Sequence, residues 1–135
     1  MAYMNWSDDL SVGVSEIDEQ HKKLVAQINT LHDAMRSGQG KDVLEKILGE
    51  LAAYTQYHFT AEEEYMQKFG YPAYAPHKKE HVAFVTKIAT FQEAYAAEKL
   101  GLSIEVMTFL RDWVAGHIRG SDTHYTACFR EHGLA

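Results

Sequence analysis

The stretch from residue 58 to residue 81, H-F-T-A-E-E-E-Y-M-Q-K-F-G-Y-P-A-Y-A-P-H-K-K-E-H, decides how this chain folds. His58 and Glu62 stand four residues apart, a Gly70-Tyr71-Pro72 break follows, and His77 and His81 again stand four apart. On an α-helix, positions i and i+4 lie above one another on one face. Each half of the stretch therefore presents two metal-ligand side chains from one helical face, and the break turns the second helix back against the first. The spacing predicts half of a metal site, with the other donors elsewhere.

Working outward, the apolar positions extend both helices. Leu44, Leu48, Leu51, Thr55, His58, Glu62, Tyr65 and Phe69 alternate steps of 4 and 3, which predicts an inward face on a helix from about Lys41 to Lys68. His77, His81, Phe84, Ile88, Phe91 and Tyr95 do the same for a helix that begins between Pro72 and Pro76. Upstream, Ile17, His21, Leu24, Ile28, Leu31 and Met35 form an earlier seam, closed by Ser37-Gly38-Gln39-Gly40. Downstream, Lys99 to Leu102 is the next turn, Ser103 is the expected N-cap, and Met107, Leu110, Val114 and His117 face inward. The expectation is an all-α, up-down-up-down antiparallel four-helix bundle over residues 1–135, a single domain. A short arm (residues 1–15, with Trp6 and Gly13) precedes it, and a C-terminal segment packing Phe129 follows.

Composition narrows the function classes. At 135 residues, 46% hydrophobic and 24% charged, the chain has the profile of a soluble globular domain. A net charge of -6 with no basic run argues against nucleic-acid binding. No apolar run reaches the length of a membrane span, and the N-terminus shows no positive n-region or apolar h-region. Cys128 is the lone cysteine, so an internal disulfide is impossible and a cytoplasmic setting is expected. Eight histidines in so short a chain is the unusual feature.

The turns bring the donors to one layer. Counting from the turn near residue 39, His21 lies 18 residues back and His58 19 on, a height difference of roughly 1.5 Å. From the turn near residue 100, His81 is 19 back and His117 is 17 on, while His77 is 23 back and Asp122 is 22 on. From the turn near residue 71, Glu62 is 9 back and His81 is 10 on. Asp122 follows His117 by five residues, a step that reaches the same face only where the helix loosens or ends, and Gly120-Ser121 is the place for that. A single inward histidine is ordinarily a hydrogen-bonded core residue, and a lone carboxylate ordinarily a solvated one. Five imidazoles and two carboxylates buried together without a metal would carry a severe desolvation penalty.

Seven donors are too many for a four-coordinate zinc. Two octahedral ions need about twelve bonds, and these residues with one shared oxygen supply about eleven, leaving one position open. Imidazole with carboxylate suits iron, though geometry alone leaves manganese in play.

The residues D-E-Q-H at 18–21, H-F-T-A-E at 58–62, H-K-K-E-H at 77–81 and H-I-R-G-S-D at 117–122, with Trp6 and Gly13, resemble the hemerythrin family in its single-domain bacterial form, bacteriohemerythrin. The resemblance implies two iron ions with a bridging oxo or hydroxo group. It assigns His77, His81 and His117 to one iron, His21 and His58 to the other, and Glu62 and Asp122 to both. It implies reversible dioxygen binding as a hydroperoxide at the five-coordinate iron on His21 and His58, for carriage, storage or delivery to an oxygen-consuming enzyme.

Helical spacing independently predicts an apolar dioxygen pocket of Leu24, Val25, Phe59, Trp113, Val114, Ile118 and Tyr125, with Phe59 and Trp113 foremost. His32, His124 and His132 are expected at the surface, and Cys128 as a packed thiol. The main rival is an enzyme at the same site, a di-iron oxidase or a peroxide or nitric-oxide reductase. Oxidases of the ferritin-like kind use Glu-x-x-His pairs, which the predicted donor set lacks. A second rival reads His77-x-x-Glu80-His81 as a zinc hydrolase string with Glu80 as base. That reading leaves five donors unexplained, and Glu80 is expected to be a solvated helix-surface residue. A monomer binding dioxygen, and not an enzyme, is the expectation; oxygen sensing would require a signalling partner.

Overall fold

A computed structural model of the chain describes residues 4–98 and 101–134, without the side chains of residues 40–42. Four long helices make the bundle: α1 (Ser15–Arg36), α2 (Gly40–Lys68), α3 (Tyr74–Ala96) and α4 (Leu102–Gly120). A 3-10 turn at Asp122–Tyr125 and a short α5 (Thr126–Glu131) follow. Each long helix packs on its neighbours in the chain, and α4 closes the ring against α1. Among the described residues there is no strand, and no helix is long and apolar enough to cross a membrane.

The helices form where the sequence places apolar residues three and four apart. On α1, Ile17, His21, Leu24, Ile28 and Leu31 are buried; on α3, His77, His81, Phe84, Ile88 and Phe91 are buried. Burying a Leu, Ile or Phe side chain stabilises the fold by about 1.5–3 kcal/mol. The second helix stops where Gly70 takes φ +66, which lets Tyr71 N–H reach back to Met66 O at 2.8 Å. Pro76 then sits in the first turn of α3, where its missing N–H is harmless.

Three details depart from the expected seams. On α4 the fully buried residue is Val106 and not Met107, which lies half-buried on the flank. The helix begins at Leu102 directly after Gly101 (φ 72), so Ser103 lies inside the first turn and caps nothing. Residues 99–100 of that turn fall outside the described residues. On α2 the core contact next to Phe69 comes from Met66, which is fully buried, while Tyr65 is half-buried with its hydroxyl on Glu16 at 2.5 Å.

The arm is docked onto the core. Asp18 accepts hydrogen bonds from Val12 N–H (2.8 Å) and Ser11 Oγ (2.6 Å), and Thr126 Oγ1 donates to Val12 O at 2.6 Å. Leu10, Val12 and Val14 are buried, as is Phe129 on α5. This closes one end of the bundle, the end that carries the donors.

Candidate metal centre

All seven expected donors are buried and meet at that end. His21 comes from α1, His58 and Glu62 from α2, His77 and His81 from α3, and His117 from α4. Asp122 arrives differently. The α-helix stops at Gly120, Ser121 leaves helical geometry (φ -120, ψ -50), and Asp122 opens the 3-10 turn. That change of winding swings a residue five positions after His117 back onto its face.

The donors form two overlapping sets whose ligand atoms lie within 4.8 Å of one another. One is His77, His81 and His117 with Glu62 and Asp122; the other is His21 and His58 with the same two carboxylates. Asp122 spans them: Oδ1 lies 2.7 Å from His77 Nε2 and 2.9 Å from His117 Nε2, and Oδ2 lies 3.0 Å from His21 Nε2. Glu62 does the same, with Oε1 3.2 Å from His58 Nε2 and 3.3 Å from His81 Nε2, and Oε2 3.6 Å from His21 Nε2.

These atoms are close without being satisfied. His21 Nε2, His77 Nε2, Glu62 Oε1 and both oxygens of Asp122 are buried and make no hydrogen bond. His81 Nε2 and His117 Nε2 face each other at 3.2 Å. Buried polar atoms are ordinarily paired, and a cluster of imidazole nitrogens and carboxylate oxygens aimed at a common centre fits metal ions. The charge balance agrees. Burial works against a proton on His21, but Asp122 and Glu62 outweigh it and raise the imidazole to about 10. Burial likewise opposes His117, and Asp122 then Glu62 raise it to about 9. Burial pushes both carboxyls up, yet the neighbouring histidines hold Glu62 and Asp122 well below the usual range. The cluster calls for cations, and protons take that place where metal does not.

A second ring of residues, unforeseen in the sequence, holds the imidazoles. Gln20 Oε1 accepts from His58 Nδ1 at 2.5 Å, Glu63 Oε2 from His81 Nδ1 at 2.8 Å, and Glu80 Oε1 from His117 Nδ1 at 2.9 Å. An amide oxygen and a carboxylate can only accept, so Nδ1 carries the hydrogen and Nε2 is left to face the centre. Each clasp has the same form. A residue beside a donor on one helix holds the histidine of the next: α1 to α2, α2 to α3, α3 to α4. Glu80, expected to be only a solvated helix-surface residue, keeps a partly exposed side chain but is tied to the centre, and Ser121 Oγ donates to both its oxygens at 2.8 and 2.7 Å. The one available signal was adjacency, since Gln20, Glu63 and Glu80 each neighbour a donor in the sequence.

The residues expected to line a pocket are placed as follows. Leu24, Val25, Phe59, Val114, Ile118 and Tyr125 are buried and Trp113 is half-buried. Phe59 adjoins His58 in sequence but stacks on His81 (3.8 Å, 4° between planes), and Trp113 stacks on His117 (4.3 Å, 14°). Both rings thus lie against the three-histidine set. Tyr125 stacks on Phe129 (4.2 Å) and its hydroxyl donates to Glu62 Oε2 at 2.5 Å. Of the remaining histidines, His124 and His132 are exposed, but His32 is half-buried. Cys128 is half-buried, its Sγ 3.9 Å from Phe69 O.

Comparison with known proteins gives the same picture. The family model for the Hemerythrin HHE cation binding domain matches residues 12–128. The chain is 38% identical to a bacteriohemerythrin of Stenotrophomonas maltophilia, over 98% of this chain and 85% of the relative. It is 35% identical to a bacteriohemerythrin of Methylococcus capsulatus, over 95% of this chain and 98% of the relative. Among solved structures, wild-type hemerythrin superposes with a TM-score of 0.86 at 34% identity, covering 95% of this chain and 98% of that one. Sequence, bundle and buried donor set converge on one statement: the chain belongs to the hemerythrin family.

Proposed function

We propose that this protein binds dioxygen reversibly at a non-haem di-iron centre, for carriage, storage or delivery to an oxygen-consuming enzyme. One observation carries the reading: two carboxylates are shared between unequal sets of three and two histidines. Unequal donor sets around shared bridges favour two ions of unequal coordination, with the free position on the side of His21 and His58. Iron suits imidazole with carboxylate, and a pair of irons would supply the two electrons and the open position that reversible dioxygen binding needs. His77, His81 and His117 would hold one ion, His21 and His58 the other, and Glu62 and Asp122 both.

The chain's own residues supply the rest. Gln20, Glu63 and Glu80 fix the tautomer and direction of three imidazoles. The Tyr125 hydroxyl holds Glu62 through a buried hydrogen bond. Leu24, Val25, Phe59, Val114 and Ile118 keep water out of the surroundings, which denies protons and favours release of dioxygen over its reduction. We read the protein as a carrier and not an enzyme, acting as a monomer in a reducing, cytoplasmic setting that suits its single thiol.

The test is iron content together with the visible spectrum as the reduced protein is cycled between oxygen and argon. A coloured form that appears with oxygen and bleaches under argon is expected. Rapid decay to the diferric state in stopped flow would mean an oxidase, and one zinc per chain would defeat the reading. His58→Ala should abolish the coloured form while iron remains on the three-histidine side.

A further inference from the structure

The clasps on the two halves of the centre differ in charge. His81 and His117 each donate Nδ1–H to a carboxylate, Glu63 at 2.8 Å and Glu80 at 2.9 Å. On the other half, His58 donates to the neutral amide oxygen of Gln20, and His21 Nδ1 has no hydrogen-bond partner. An anionic acceptor draws the Nδ1 hydrogen toward itself and makes the opposite nitrogen a stronger electron donor, whereas an amide oxygen does so weakly. A stronger donor stabilises a ferric ion more than a ferrous one.

We propose that Glu63 and Glu80 are positioning residues that make the three-histidine half of the centre the electron-rich half, so that its ion is oxidised at the lower potential. The inference rests on the di-iron reading above. Both carboxylates reach across helix boundaries, from α2 to α3 and from α3 to α4, so the asymmetry is built into the packing of the bundle. Neither is fully screened by water: the Glu63 side chain is 18% exposed and that of Glu80 43%. Lys78 Nζ stands 3.9 Å from Glu63 Oε1, and Ser121 Oγ donates to Glu80. These contacts moderate each charge without removing it, and each keeps its short bond to the imidazole. Glu80 also borders a cleft of about 200 Å³ lined by Tyr71, Ala73, Pro76, His77, Ser121 and His124. Of the two carboxylates, it is the more exposed.

The experiment loads the unaltered protein, Glu63→Gln, Glu80→Gln, the double variant and Gln20→Glu with ferrous ion under argon. Iron per chain is counted first, and the two one-electron potentials are then titrated. Each Glu→Gln change should weaken the ferric-over-ferrous preference of the lower-potential ion by about tenfold, a rise of about 59 mV, and the double variant should rise further. Gln20→Glu, which adds a carboxylate to the other half, should narrow the gap between the two potentials. Two irons bound with unmoved potentials, or a fall on Glu→Gln, would overturn the proposal. Should a Gln variant fail to take up iron, Gln20→Glu decides alone, and an unchanged gap overturns it. An unaltered protein that does not hold two irons would instead defeat the functional reading.

Discussion

His21 and His117 show what a buried imidazole does when carboxylates face it. Both titrate above the 6.5 of a free imidazole, His21 at about 10 and His117 at about 9, because Asp122 and Glu62 outweigh burial. At neutral pH the metal-free protein holds both protons, and a metal ion must displace them. Metal loading at neutral pH should therefore release protons from His21 and His117, read by titration calorimetry in buffers of different ionisation enthalpy. Groups raised in the fold contribute stability below about pH 6.5 and lose it as pH rises through about 9 and then 10. The melting temperature of the metal-free protein should accordingly fall over that range more steeply than that of the loaded protein, where the protons are gone. Tyr125 offers a second test at this scale. Burial is the chief reason its hydroxyl is held in the neutral form, with Glu62 beside it. Tyr125→Phe keeps the stack on Phe129 and removes the donor to Glu62, so unfolding free energy in urea should drop by about 2 kcal/mol.

At the level of the helices, the inward donors were legible because a helical period of 3.6 leaves little choice once Leu, Ile and Phe are three and four apart. His58, Glu62, His77 and His81 fall on seams that apolar residues define. Even the five-residue step to Asp122 could be read as a place where α-winding fails, and the 3-10 turn is that failure. What could not be read is anything settled one position off a seam. Val106 and Met107 are both apolar and stand four and three residues before Leu110, so either spacing reaches the same face and the seam alone does not choose between them. Glu63 and Glu80 look like solvent-facing charges within their own helices; their place at the centre shows only when a histidine arrives from the neighbouring helix. Nor does sequence adjacency tell which imidazole Phe59 stacks on: the ring stands 5.7 Å from His58 and lies flat on His81 at 3.8 Å. The arm yields a test of its own. Gly13 has φ +73, and a Cβ there would stand 3.1 Å from Thr126 Cγ2. Gly13→Ala should cost about 1–2 kcal/mol from the backbone conformation alone, with a further loss from the contact, measured as a lower urea midpoint.

For the molecule as a whole, the metal is expected to act as part of the core. The bundle closes over imidazole and carboxylate atoms, several of which make no hydrogen bond, so an ion that binds only the folded chain must stabilise it. Free ferrous ion at a hundred times its dissociation constant should add about 2.7 kcal/mol, and a chelator should remove that gain, visible as a lower melting temperature. Equal melting temperatures with and without iron would show that the cluster is not a metal site.

The donors are spread from His21 to Asp122, and the last of them sits past the end of α4 in its own turn. A ribosome makes Asp122 last. Until that residue has emerged and the arm has docked on α5, a nascent chain carries imidazoles from all four rods but lacks one of its two clamps. A site with its full donor set thus exists only once synthesis has passed Asp122 and the segment that follows it.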